Sequence, residues 1–320
     1  MRQAGRILQP YRELKEKAGS IETLFSTPEL AAEVTLMPVH MLGVDAAILF
    51  ADIFTPVIPM GCQVEFTPAP RLAGPVRLAS EVDKLRVIES VSDLPHVLEA
   101  IRIICSELPE TVPLIGFAGA PFTLASYLAE GGGAREFTQF RRMIQADPKT
   151  AHSLMRKLTE TTEDYLRAQI RAGASVVQLF DTCVGALSAP VFSTFVLPYL
   201  QEIFKRLESE NVPRIYYANG ASHLTAEMGD IGADVLSLDW RTDLAAVFTE
   251  HGGKFALQGN LDPCALFGSE AQIEDEALTL LRNTARMPHI FNIGHGVHPE
   301  TPSDSVKHLV DVVHEFSSST

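Results

Sequence analysis

Seven short apolar runs recur along the chain, each bounded by Gly, Pro, Asp or Asn: DAAILF (45–50), PLIGFA (113–118), SVVQLF (175–180), RIYYAN (214–219), VLSLDW (235–240), FALQGN (255–260) and HIFNIG (289–294). Apolarity that does not alternate suits strands covered on both faces, as in a parallel sheet. Stretches of helical spacing separate them. Thr27-Pro28-Glu29 reads as a cap followed by proline at the first helical position, and Asp147-Pro148 opens a helix that runs to the stop at Gly173. Residues 189–211 and 269–286 also carry helical spacing. Strand alternating with helix predicts an α/β fold with a parallel sheet, and its closed form is the (β/α)₈ (TIM) barrel. Such a barrel needs eight strands to close, and this chain supplies seven. Residues 54–78 interrupt the alternation and predict a hairpin excursion over one end of the sheet. No Gly/Ser-rich or Pro-rich linker divides the chain, so residues 1–320 read as one domain.

Composition removes several function classes. The net charge of 26 − 40 = −14 argues against general nucleic-acid binding, which needs many phosphate-neutralising cations. The most apolar stretch, residues 42–61, carries Asp45, Asp52 and prolines, well short of about 18 uninterrupted apolar residues needed for a membrane span. Arg2, Arg6 and Arg12 break up any secretory leader at the start, so a cytoplasmic protein is expected. Cys62, Cys105, Cys183 and Cys264 are far apart with no C-x-x-C pair, which suggests neither a disulfide framework nor a zinc ribbon.

Parallel α/β sheets and barrels bind ligands at the carboxyl ends of their strands. The polar residues there are Asp52, Asp181 with Thr182, Asn219, Asp239, Asn260 with Asp262, and His295 between Gly294 and Gly296. An aspartate after a strand is as often a helix cap as a functional carboxylate, and Asp262-Pro263 is especially cap-like. Asp239, beside the only tryptophan, suits a buried hydrogen-bond acceptor. Tyr127 lies before the Gly131-Gly132-Gly133 run and has packing as its default reading. Arg2 and Arg6, four apart, would share one face of a helix, where a solvated surface is the ordinary alternative to anion binding. There is no G-x-G-x-x-G after a strand, no G-x-x-x-x-G-K-[ST], no H-E-x-x-H and no G-x-S-x-G. Pattern alone therefore reaches an α/β-barrel-like enzyme with an anion-binding pocket.

Several stretches together carry a closer resemblance. They are MRQAGR (1–6), TPELAAEVTLMPV, DAAILFADIFTP, GFAGAPFTLASYLAEGGG (116–133), VVQLFDTCVGALSAP (176–190) and FNIGHGVHPETP (291–302). In order along essentially the whole chain, they resemble the uroporphyrinogen decarboxylase family. The resemblance implies a distorted (β/α)₈ barrel, a homodimer, and removal of CO₂ from the four acetate side chains of uroporphyrinogen to give coproporphyrinogen. It also implies that no metal or organic cofactor takes part.

Residue by residue, Arg2 and Arg6 fall on the family's two carboxylate-binding arginines and Asp52 on the aspartate that meets the pyrrole N–H groups. Tyr127 falls on the pocket tyrosine and His295 on the histidine that contacts a propionate. Thr182 stands where the family usually has serine and keeps the hydroxyl. Ala51 replaces a frequent serine, and Lys15 replaces a frequent arginine. In the family a lead-in and first barrel strand precede M-R-Q-A-G-R, which matches the count of seven strands here. The expectation is a barrel lacking its first strand in this chain.

Two rival functions remain. A zinc-dependent corrinoid or thiol methyltransferase of the same superfamily would carry an H-x-C-G motif, and no H-x-C occurs in this chain. A non-catalytic tetrapyrrole-binding protein would hold the same ligand without turnover.

Overall fold

The computed structural model describes residues 4–66, 69–134 and 136–318. Among the described residues nine strands follow one another: β1 (Ala47–Ile48), β2 (Val64–Glu65), β3 (Arg71–Leu72), β4 (Leu114–Gly119), β5 (Val176–Asp181), β6 (Arg214–Ala218), β7 (Val235–Leu238), β8 (Ala256–Leu261) and β9 (His289–Ile293). All seven apolar runs contribute a strand, and these seven form one sheet in the order β1-β4-β5-β6-β7-β8-β9. Every neighbouring pair in it is parallel. The sheet curls into an α/β barrel whose edges are β1 and β9, which do not pair with each other among the described residues. Their seam is covered from outside. Ala4, Ile7, Leu8 and Tyr11 from the start of the chain pack in one apolar cluster with Ile293, Val297, Val306 and Leu309 from beyond β8.

Strand β1 is shorter than its apolar run. Leu49 still donates to the Ile115 carbonyl at 3.0 Å, but the Phe50 N–H is taken by Thr35 Oγ1 at 2.9 Å, so the chain leaves the sheet just before Asp52. The predicted excursion is a hairpin: β2 and β3 pair antiparallel, Val64 opposite Leu72. It docks on the end of the helix Pro121–Glu130, where Leu72 N–H donates to the Gly131 carbonyl at 3.1 Å and Val76 N–H to the Leu128 carbonyl at 2.8 Å.

Helices start where the sequence placed them, although Thr27, at the N-cap of Pro28–Leu42, makes no side-chain capping bond. Asp147 caps Pro148–Ala172, its Oδ1 accepting from Thr150 N–H at 3.2 Å, and the helix stops at Gly173. The stretch 189–211 is two helices, Ala189–Phe195 and Leu197–Leu207, because Pro198 has no N–H to continue the ladder across Val196. Arg6 lies in a 3₁₀ turn, Ala4–Ile7, instead of an α-helix. The expected pairing of Arg2 with Arg6 on one helical face cannot be followed, because Arg2 lies outside the described residues.

Candidate active site

Asp52, Tyr127, Thr182 and His295 all stand on segments that leave the carboxyl ends of strands: β1, β4, β5 and β9. Arg6 reaches the same end from the seam between β1 and β9. It sits within electrostatic range of Tyr11, whose ring packs edge-on at 5.9 Å against Phe50 beyond β1, and of Glu300 beyond β9. Burial lowers the Arg6 guanidinium from its ordinary pKa, with Tyr11 and Glu300 opposing the shift. Its Nε is buried without a hydrogen-bond partner among the described residues. A buried guanidinium N–H without a partner is costly, and a carboxylate satisfies it bidentately.

Asp52 is half-buried and serves its local backbone. Phe54 N–H donates to Asp52 Oδ1 at 2.9 Å, and Thr55 N–H donates to its carbonyl at 3.0 Å, so Asp52 heads the short turn Thr55–Val57. Asp52 closes an Asx-type turn on Phe54 instead of capping the helical turn, whose N-cap is Phe54, and that bond fixes the carboxylate. Phe54 packs edge-on at 5.2 Å against Tyr127, and Tyr127 lies 5.1 Å from Phe137. These three rings make an aromatic wall that leads away from Asp52. Tyr165 lies behind Asp52: its hydroxyl is buried with no partner among the described residues, and burial, then Asp52, raise its pKa.

The wall ends at a cleft of about 460 Å³. Its lining includes Phe137, Arg141, Thr182, Asn219, Gly220 and Arg241. Thr182 is therefore joined to Tyr127 through Phe137. On the other side, His295 meets Tyr217 edge-on at 6.2 Å, and Tyr217 meets Phe180 at 5.6 Å. Gly296 N–H donates to His295 Nδ1 at 2.7 Å, which places the proton of the neutral imidazole on Nε2. Another cavity of about 500 Å³ lies among Glu29, Leu36, Met41 and Ile103 in the outer helical layer and contains none of these residues.

Several strand-end residues are structural. Asp262 accepts from Cys264 N–H at 2.8 Å as a cap. Asp239 is buried and accepts from the Gly220 and Arg241 N–H groups, as its place beside Trp240 suggested. Asn260 Nδ2 donates to the Asp239 and Thr242 carbonyls at 2.8 and 2.7 Å. Asp181 is fully buried and joins three segments: Thr123 Oγ1 donates to it at 2.6 Å and Tyr216 Oη at 2.9 Å. Burial pushes the Asp181 carboxyl up to about 6, the two hydrogen bonds opposing. Among the described residues, no three His, Cys, Asp or Glu side chains converge as a metal ion would require.

Sequence reasoning passed over Arg141 and Arg241. Arg141 lies on a helix far from any apolar run, and Arg241, though it directly follows VLSLDW, reads as solvated surface like any exposed arginine. The fold alone brings them to one cleft.

The sequence profile described as Uroporphyrinogen decarboxylase (URO-D) matches residues 1–316. The uroporphyrinogen decarboxylase of Trichlorobacter lovleyi is 46% identical over 318 residues, covering 99% of this chain and 93% of its own length. That of Carboxydothermus hydrogenoformans is 47% identical, covering 99% of this chain and 91% of its own. Among solved structures, a methyltransferase from Methanosarcina mazei shares the fold with a TM-score of 0.81 at 24% identity, covering 95% of this chain and 90% of that one.

Proposed function

Since the chain belongs to the uroporphyrinogen decarboxylase family, we propose that it removes CO₂ from the four acetate side chains of uroporphyrinogen III and releases coproporphyrinogen III. On this reading it works as one barrel domain over residues 1–320, as a homodimer, in the cytoplasm. No helix among the described residues is long and apolar enough to cross a membrane.

The observation that carries the reading is the placement of Asp52. Its carboxylate is fixed by the Phe54 N–H, at a strand end, beside the aromatic wall of Phe54, Tyr127 and Phe137. On this reading the ionised carboxylate, which has about four acceptor sites, receives pyrrole N–H groups at the centre of the macrocycle. Tyr127 and its neighbours supply apolar surface for a tetrapyrrole face. The substrate carries eight carboxylates, and Arg2 and Arg6 hold some of them by charge-assisted bonds. His295 donates its Nε2–H to a propionate, and the Thr182 hydroxyl donates to a neighbouring carboxylate.

The reaction needs an electron sink. Protonation of a pyrrole carbon makes the ring that sink: the electrons of the breaking C–C bond flow into it as CO₂ departs. A second proton then adds to the side-chain carbon in place of CO₂, and the ring carbon gives up the first proton to restore the aromatic pyrrole, so one proton is consumed for each CO₂ released. The positive charge on the protonated pyrrole develops beside Asp52, whose carboxylate stabilises it. Arg6 is one candidate for holding the incoming proton, because burial moves its pKa in the required direction. Tyr127 orients the reacting acetate.

Anaerobic incubation of this chain with uroporphyrinogen III tests the proposal. Coproporphyrinogen III is expected. Tight binding with no product in a single turnover would identify a tetrapyrrole-binding protein instead.

A further inference from the structure

Arg241 follows β7 and is locked in place on three sides. Its Nε lies 3.4 Å from Asp239 Oδ1, its Nη2 donates to Asn219 Oδ1 at 3.2 Å, and its guanidinium lies over the Trp240 ring at 4.4 Å. Gly220, at φ +66°, makes room for it: a Cβ there would stand 3.4 Å from Arg241 Nη1. Asp239 in turn is held by the backbone N–H groups of Gly220 and Arg241. A guanidinium has five N–H donors. The contacts with Asp239 and Asn219 engage two of them, and the others have no partner among the described residues. This is a pre-oriented fork and not a freely moving surface arginine.

Arg141 lines the same cleft from the helix Thr138–Ala146, which follows β4. Its guanidinium makes no hydrogen bond or ion pair among the described residues, and Glu136 in the same lining forms no ion pair with either arginine. The ends of β5 and β6, with Thr182 and Asn219, lie between the two cations. In a chain of net charge −14, two arginines with open donors make this cleft a positively charged pocket at the strand ends. The cleft is lined by neither Asp52, Tyr127 nor His295, so it lies beyond the reacting centre. The Arg241 side chain is 49% exposed, so water reaches what it holds.

We infer that Arg241 and Arg141 form a second carboxylate subsite that holds a propionate of the tetrapyrrole while an acetate elsewhere on the ring reacts. This deepens the reading given above and rests on it. A propionate is one methylene longer than an acetate and reaches the outer wall. It is also retained through all four decarboxylations, so the subsite works at each of them.

The test compares kcat and KM of the unaltered chain with Arg241→Ala, Arg241→Lys and Arg141→Ala, using uroporphyrinogen III and the pentacarboxylate porphyrinogen that keeps one acetate. Loss of a charge-assisted hydrogen bond at an exposed wall raises KM about tenfold, with kcat within about twofold. Arg241→Lys is expected in between. The penalty is the same on both substrates. Arg141 is exposed, so its variant reports on binding even if loss of Arg241 unsettles Asp239. KM within twofold of the unaltered chain in both alanine variants overturns the inference and leaves the decarboxylase reading standing. A penalty present only on the octacarboxylate substrate overturns the assignment to a propionate. No turnover and no binding by the unaltered chain overturns the decarboxylase reading, and the subsite falls with it.

Discussion

Gly294 lies directly against the backbone of Trp240: a Cβ on Gly294 would stand 2.5 Å from the Trp240 nitrogen and 3.1 Å from the Asp239 carbonyl carbon. The loop that carries His295 is thereby pressed onto the loop that carries Arg241. Tyr217 on β6 holds the His295 loop, its hydroxyl donating to the Gly294 carbonyl at 2.9 Å. The glycine is required by backbone meeting backbone, where no side-chain rotation can relieve a clash.

Gly294→Ala therefore forces the two loops apart. Overpacking of this kind costs about 1–3 kcal/mol. A lower melting temperature is expected together with a rise in KM, since His295 and Arg241 both move. Unchanged melting and unchanged KM would show that the two loops are not coupled.

Arg6 presents a partly buried guanidinium whose Nε lacks a partner among the described residues. Arg6→Lys keeps the charge and loses the fork, so kcat/KM for uroporphyrinogen is expected to fall about tenfold, in line with the loss of one charge-assisted bond. Arg6→Ala should fall further. Equal activity in the lysine variant would mean that only charge matters there.

Asp181 predicts a pH dependence of stability. Its carboxyl titrates near 6 in the fold against an ordinary 3.8, because burial disfavours the charge. The folded state thus binds this proton more tightly than the unfolded chain. The favourable contribution is full below about pH 4 and is lost as pH rises through about 6. The stability of the unaltered chain relative to Asp181→Asn should fall by about 2 kcal/mol between pH 4.5 and 7, most of the roughly 3 kcal/mol that a shift of about two pKa units carries. Urea unfolding of both proteins at pH 4.5, 5.5 and 7 measures it. A constant difference would mean that the carboxyl stays ionised throughout.

Much of the fold was legible because the strands are covered on both faces. Runs such as SVVQLF and VLSLDW have one interpretation once helices flank them, and all seven lie in one parallel sheet, although HIFNIG at the sheet edge leaves Ile290 exposed. The caps at Asp147 and Asp262 were legible for a local reason, since an aspartate before proline closes its own turn. Local rules failed where a break or a tight turn competes with helical spacing, at Val196–Pro198 and at Ala4–Ile7. In the site, Asp52 could be read as cap or as ligand, and the structure has it bond the Phe54 N–H without capping the turn Thr55–Val57, while leaving it at the ligand-binding end. Asp181 and Thr182 look alike on paper, but strand alternation turns the first into the core and the second toward the cleft. Arg141 and Arg241 were invisible because no local pattern links them, and only the curl of the sheet from β4 to β7 puts them in one cleft.

The account turns on the charge of Asp52, and Asp52→Asn isolates it. Asparagine keeps an oxygen for the Phe54 N–H, so the turn and the melting temperature should survive. It loses the anion that would meet the pyrrole N–H groups and the developing ring cation. Steady-state decarboxylation of uroporphyrinogen III by this variant should fall at least about a hundredfold in kcat, the usual scale for removing a group aimed at transition-state charge. A kcat within twofold of the unaltered chain would contradict the role given to Asp52.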